Sequence, residues 1–317
     1  MITKGEFLEK YHISEAEFRE AEISWDDLCE IYQDYSERKW SKYKAARDDF
    51  FDTYLKDMNE GKNEAERIKV HTISTRIKDP EHLLAKIVNR KRKNDKKYCK
   101  LDKTNYEKFV TDLLGIRCLV IFKADWISFH EYIMSKFDND VTYYIRDSIA
   151  DFDPDENHYY FAEEPKVHIR NGDFRDIYEG VLSPDCIMDG KIYRAVHYII
   201  KYKGIYLEIQ LRTLFEESWS EIDHAIAYPY YKEDPILREY TELLNRLAGL
   251  ADEMGGFFGR LKALEIEHLG HLSECVKRDA EQDVSADGDT DINSVIEEED
   301  MEILSTCGDC LDSVLSE

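Results

Sequence analysis

The residues best suited to chemistry lie on a short alternating stretch. From residue 205 the chain sets Ile205, Leu207, Ile209 and Leu211 on one side of a strand and Tyr206, Glu208, Gln210 and Arg212 on the other, because strand side chains alternate with period two. A carboxylate, an amide and a guanidinium then share one face. A second carboxylate, Asp112, and a guanidinium, Arg117, flank the start of another apolar run. Arg76 and Lys78 stand just before a helix start, and Lys86 lies inside that helix. Cations gathered at a helix N-terminus suit a polyphosphate. The bland alternative fits the same residues: an ordinary solvated sheet face and a solvated basic helix.

The elements that must position these groups are legible. After the strand, Leu211, Phe215, Trp219, Ile222 and Ile226 recur at three- and four-residue steps, one face of a helix. Asp79 is a natural N-cap and Pro80 suits the first helical position. The helix after them would bury Leu83, Leu84, Ile87 and Val88, with His82, Lys86 and Arg90 on another face. Residues 106–122 predict a helix, a turn at Gly115 and a buried strand over 118–122. Residues 191–204 predict a strand closed by Gly204, forming a hairpin with the strand at 205 and setting Tyr193 and His197 near Glu208 and Gln210.

Elsewhere, residues 14–59 predict packing helices, with Trp25, Leu28, Tyr32 and Tyr35 at helical steps. A helix and then a strand over 141–145 are expected after residue 123. Residues 147–163 read as a loop, 167–170 as a short strand, and 171–189 as irregular chain. Beyond Pro235, a heptad-like seam runs from Leu237 to Met254 and is expected to end at Gly255 and Gly256. From Asp279 the composition is acidic and disorder-prone up to Asp291, with a short acidic helix over 292–304.

Bulk properties narrow the class. The 317 residues are 43% hydrophobic and 12% aromatic, enough for a packed core, and carry a net charge of −25. So acidic a chain does not grip nucleic acid with its whole surface. A local basic run from Lys86 to Lys103 could still meet a polyanion, ATP or tRNA. Seven scattered cysteines read as reduced thiols of a cytoplasmic protein, and the lone pair Cys307 and Cys310 lacks the partners of a zinc site. No apolar run reaches membrane-spanning length, no signal-peptide pattern opens the chain, and no Walker A pattern occurs.

Three motifs in order resemble the RelA/SpoT family of alarmone synthetases: "TRIKDPEHLLAK", "DLLGIR" and "EIQLRT" followed by "SWSEIDH". The resemblance spans roughly residues 40–230. It implies an α+β fold: a mixed sheet flanked by helices, a nucleotidyltransferase-like synthetase core over 61–232. Helical extensions over 1–60 and 233–275 and an acidic tail over 276–317 would surround it. It also implies transfer of pyrophosphate from ATP to the 3′ hydroxyl of GTP or GDP. Glu208 takes the catalytic role and shares Mg²⁺ with Asp112. Arg76, Lys78, Lys86 and Arg117 fall on ATP, and Tyr193, His197 and Gln210 on the acceptor. The chain departs from the family at His82, Ile192 and Ala195, where serine, glycine and serine are usual, and this leaves the acceptor open. The alternatives are a toxic synthetase that modifies the 3′ end of tRNA and a non-catalytic nucleotide-binding regulator. Without a His-Asp dipeptide or room for the family's hydrolase and regulatory domains, a stand-alone small synthetase is expected. A homo-oligomer through the C-terminal helix and no membrane association complete the expectation.

Overall fold

The structure, a computed structural model, describes residues 2–60, 68–93, 98–140, 158–190, 192–226 and 234–284. The chain divides into two compact units, Met1–Gly256 and Phe257–Glu317.

The first unit opens with α1 (Lys4–Lys10), α2 (Glu15–Glu20), α3 (Trp25–Gln33) and α4 (Trp40–Phe50). Thr3 and Ser14 start the first two helices with reciprocal caps from Glu6 and Glu17, and Ser24 caps α3. The helical run expected over 14–59 is thus interrupted, because Glu22 takes a left-handed backbone and Ser24 begins a new helix. Both α3 and α4 end in a wide turn. In these, the N–H groups of Lys39 and Lys56 bond to the carbonyls of Asp34 and Phe51, five residues back. Tyr35 sits in the first wide turn, fully buried, and its hydroxyl donates to the Lys78 carbonyl at 2.9 Å. An N-terminal packing helix therefore fixes a loop that carries a candidate site lysine.

Next come β1 (Val70–Ile77), α5 (Pro80–Arg92), α6 (Tyr106–Phe109), β2 (Leu114–Val120) and α7 (Trp126–Lys136). They are followed by β3 (Tyr160–Phe161), β4 (Lys166–Arg170), β5 (Ile187–Gly190), β6 (Ala195–Tyr202), β7 (Ile205–Thr213), α8 (Leu214–Ile226) and α9 (Pro235–Val284). The sheet order is β1-β2-β7-β6-β4-β5, with β3 also on β6. β2 and β7 are parallel at its centre, as are β4 and β5, and the other pairs are antiparallel. Ile116, Cys118, Leu207, Ile209 and Leu211 are buried in the core behind the polar face. This is the α+β arrangement expected: a mixed sheet with helices around it.

Several boundaries differ. Gly115 is not a turn but the second residue of β2, and only one helical turn, α6, precedes it. Tyr193 precedes β6 instead of lying in it. The stretch expected to be irregular ends in β5, which pairs parallel with β4, and the expected loop includes β3. The C-terminal helix does not stop at Gly255 and Gly256. It runs to Val284, past the expected start of disorder, because two glycines cost only about 1 kcal/mol each in a helix interior and good helix formers follow them. In the second unit, Phe257, Phe258, Leu261 and Leu264 are exposed. The strand expected over 141–145, the helix over 292–304 and the Cys307–Cys310 pair lie outside the described residues. Among the described residues, no helix is long and apolar enough to cross a membrane.

Candidate active site

Strand register gathers the polar groups on one face. Arg76 on β1 pairs with Gly115 on β2, and Gly115 with Glu208 on β7. Two residues along, Arg117 pairs with Gln210, and Gln210 with His197 on β6. Paired residues point to the same side of a sheet, so one face carries Arg76, Arg117, Glu208, Gln210 and His197 across four strands.

The half of this face nearest β1 has too many cations for its carboxylates. Asp112, in the loop before β2, is almost buried and receives Lys78 at 2.7 Å and Lys86 at 2.8 Å. Lys78 is delivered by the turn between β1 and α5, where Asp79 caps the helix by accepting from the N–H groups of Glu81 and His82. Its own N–H bonds to the Leu113 carbonyl beside Asp112 at 2.9 Å. Burial alone would raise the Asp112 carboxyl, but the ammonium groups of Lys86 and Lys78 outweigh it and bring the pKa down to about 2. Lys78 also falls below its ordinary value: burial dominates, and the charges of Lys86 and Arg76 oppose its own. The two shifts differ in sense because one carboxylate is shared among several cations. Asp112 gains from two partners, and Lys78 is left with too little negative charge. Arg76 is exposed, with no carboxylate paired to it among the described residues. Its side chain crosses β2 at Gly115, where an added Cβ would lie 3.1 Å from Nε and 3.2 Å from Cγ. The glycine allows this close approach, and a side chain there would displace Arg76 by a few tenths of an ångström.

The half nearest β6 is closed on itself. Glu208 accepts from His197 Nδ1 at 3.1 Å and from Gln210 Nε2 at 2.7 Å. His197 Nε2 meets the Tyr193 hydroxyl at 2.8 Å, and that hydroxyl accepts from Arg212 Nη2 at 2.7 Å. Arg212 Nη2 also reaches Gln210 Oε1 at 3.2 Å. With the histidine proton on Nδ1, every bond in this ring of five side chains runs from donor to acceptor, from the guanidinium to the carboxylate. Burial would raise the Glu208 carboxyl, but the bonds from His197 and Gln210 overcome it and hold the group below its usual range. Glu208 is thus ionised at neutral pH, and Asp112 is near enough for its charge to oppose that ionisation.

The sequence-based set is brought together with three changes of emphasis. Arg117 is engaged by Glu217 and Glu221 of α8. The Arg212 guanidinium lies 5.1 Å from the Tyr193 ring centre, so Tyr193 already carries a cation on one face. Within the described part of the basic run, three members are engaged internally: Lys91 donates to the carbonyls of Tyr98, Cys99 and Leu101, Arg92 pairs with Glu17, and Lys103 pairs with Asp27 and Glu30. Sequence reasoning did not single out Glu217 and Glu221, whose pairing with Arg117 joins residues far apart in the chain. It also missed the clamp behind Tyr193. There Arg194, buried, pairs with Asp173 at 2.5 Å and donates to Asn245 Oδ1 of α9 at 2.8 Å, while Asn245 donates to the Ile192 carbonyl.

The chemistry of the donors fits Mg²⁺. Asp112 Oδ1 is buried and has no hydrogen-bond donor aligned on it, although Lys86 lies close. Among the described residues, no cluster of three or more histidine, cysteine or acidic side chains forms a closed metal site. Two carboxylates at an open polar face match a cation that completes its shell with water and phosphate oxygens.

A mixed sheet with a carboxylate on its central parallel pair and a cationic rim defines the class, an α+β protein with a charged polar face. The model of the region found in RelA and SpoT proteins matches residues 75–233, half of the chain. The chain belongs to the RelA/SpoT family. Among solved structures it is similar to small alarmone synthetase 1 from Bacillus subtilis bound to its product pppGpp, at 17% identity and TM-score 0.46, covering 71% of this chain and 100% of that one. The same synthetase bound to AMPCPP aligns at 16% identity and TM-score 0.47, covering 73% and 99%. A GTP pyrophosphokinase family protein from Streptococcus pneumoniae aligns at 19% identity and TM-score 0.41, covering 77% and 97%. No curated protein matches the chain.

Proposed function

We propose that the chain is a pyrophosphotransferase that moves the β,γ-diphosphate of ATP to the 3′ hydroxyl of GTP or GDP, forming (p)ppGpp and AMP. The observation that carries this is the charge imbalance beside Glu208. Lys78 and Lys86 share one carboxylate, Asp112, and the charge of Arg76 bears on Lys78 without a carboxylate of its own, so that a triphosphate supplies the missing negative charge. Family membership supports the same class of donor and acceptor.

In this mechanism Arg76 packs on the adenine, while Lys78 and Lys86 turn from Asp112 to the phosphates. Asp112 and Glu208 would then hold Mg²⁺, which when bound neutralises charge on the phosphate oxygens. Glu208 accepts the proton of the 3′ hydroxyl as its oxygen attacks the β-phosphorus and the bond to the α-phosphate oxygen breaks. A carboxylate held below its usual pKa is a weak base, so its share is at the low end of about 10²–10⁴ for general-base catalysis. Positioning and charge neutralisation must supply the rest. His197 and Gln210 keep Glu208 ionised and aimed. The acceptor base stacks on Tyr193.

The experiment is incubation with γ-³²P-ATP and Mg²⁺, in parallel with GDP, GTP, ATP or bulk tRNA. Labelled guanine nucleotide is expected. Labelled tRNA alone would replace the acceptor, and no label in any acceptor would favour a binding protein without catalysis. The internal pairing of Lys91, Arg92 and Lys103 weighs against tRNA, which needs exposed cations along a track.

A further inference from the structure

The helix α9 carries an apolar seam turned away from the core. Its inner face is Asn245, Ala248 and Asp252, all buried. Its outer face shows Ile236, Tyr240, Leu243, Leu247, Leu250 and Met254, exposed by between 42% and 65%. Steps of four and three alternate without a break, and the sequence continues them through Phe257, Leu261 and Leu264. Scattered exposed hydrophobics need no explanation, but a strict heptad stripe of about four repeats is the signature of a helix that packs against another.

The residues flanking this stripe choose the partner. One edge reads Glu239, Arg246, Glu253, Arg260, alternating in sign every seven residues. Arg246 and Glu253 form no ion pair among the described residues. The other edge reads Leu237, Leu244 and Ala251, half-buried. In a parallel pair of copies the charged edge faces the apolar edge, leaving Arg246 against Ala251. In an antiparallel pair it faces itself. Setting Leu247 against Leu250 of a second copy brings Leu243 against Met254 and Arg246 against Glu253, each twice by symmetry.

We propose that α9 docks on a second copy of this chain as an antiparallel coiled coil centred between Leu247 and Leu250. The proposal is independent of the catalytic reading. It is tested by sedimentation equilibrium of the full chain over a concentration series. The wild type is expected to be dimeric. Arg246→Glu and Glu253→Arg each place like charges together at both symmetric contacts, and each should raise the dimer dissociation constant about tenfold. Arg246→Glu/Glu253→Arg should restore it. The two single variants mixed should form a heterodimer tighter than either homodimer, which only the antiparallel register allows. A wild type monomeric at all concentrations overturns the dimer. A dimer that Leu247→Asp/Leu250→Asp dissociates but that ignores the charge variants and shows no heterodimer preference overturns the register. These residues lie on the exposed side of α9, so circular dichroism of each variant should match the wild type.

Discussion

The two halves of the polar face are built on opposite electrostatic terms. Near β1, the cations Lys78 and Lys86 crowd one buried carboxylate, Asp112, and Arg76 stands without a carboxylate. Near β6, Arg212, Tyr193, His197, Gln210 and Glu208 bond to one another in a closed ring. The first half is incomplete without a polyanion. The second closes its bonds without one, and what it holds in place is Glu208, the carboxylate proposed as the base. A cradle must give up internal contacts when ligand arrives, whereas a base must keep its geometry throughout turnover. Substitutions in the two halves should therefore fail differently.

The largest effect is expected at Glu208. Glu208→Gln removes the only carboxylate of the ring and should lower turnover about 10²-fold or more, while ATP binding, measured by calorimetry, stays within a few-fold of wild type. Activity within tenfold of wild type would take Glu208 out of the base role. Asp112→Asn is expected to split the two functions of the cradle. The rate should fall and the Mg²⁺ concentration for half-maximal rate should rise about tenfold, since one of two carboxylates for the ion is gone. Metal-free ATP should bind at least as tightly, because a negative charge has left a cationic pocket. An unchanged metal titration would place the ion elsewhere.

In the second half, His197→Ala should act through proton affinity. His197 and Gln210 hold Glu208 below its ordinary range against burial. Without the imidazole, burial prevails and the folded-state pKa rises, so the acid limb of the rate–pH profile should move to higher pH with a loss near tenfold at neutrality. A uniform loss with an unmoved limb would mean that His197 serves the acceptor alone. A smaller effect is expected at Gly115→Ala. Its methyl would press on Arg76 Nε and Cγ, raising KM for ATP several-fold with kcat nearly unchanged. The reverse pattern would show that Arg76 does not seat the donor.

Legibility in the sequence followed the same division. Arg76, Lys78 and Lys86 sit within one helix start, with the Asp79 cap and Pro80 marking where the helix begins, so local rules placed them. Alternation likewise placed Glu208 and Gln210 on a polar face. The hairpin closed at Gly204 also placed Tyr193 and His197 near Glu208 and Gln210, but the bonds that close the ring through Arg212 depend on the register of β6 on β7 and were not legible. Tyr193 also lies before β6, held by a clamp from Asp173 and Asn245 that no spacing rule reveals. Gly115 looked like a turn because glycine usually marks one, and its actual reason is a side chain crossing from the neighbouring strand. The glycine pair in α9 misled in the same way. Local breaker rules give way where the flanking sequence sustains the helix.

Behind the closed half lies a weakness that makes the smallest prediction. Asp252 of α9 and Glu216 of α8 are both buried, and neither oxygen of Asp252 has an aligned donor. Burial first, and then the charge of Glu216, push the Asp252 carboxyl up to about 7. In the unfolded chain it would titrate near 4. A carboxyl with a raised folded-state pKa favours folding while it is protonated, and that contribution is lost as pH rises between the two values. Stability to urea should therefore fall from about pH 4 to about pH 7, by a few kcal/mol from this group. Asp252→Asn keeps the shape and removes the titration, so it should flatten that fall and be more stable than wild type at pH 8. Because Asp252 touches none of the ring of five, the rate–pH profile of Asp252→Asn should overlay the wild type. If the variant loses stability at every pH, the carboxylate is held by a partner and this side of the molecule is as well satisfied as the ring in front of it.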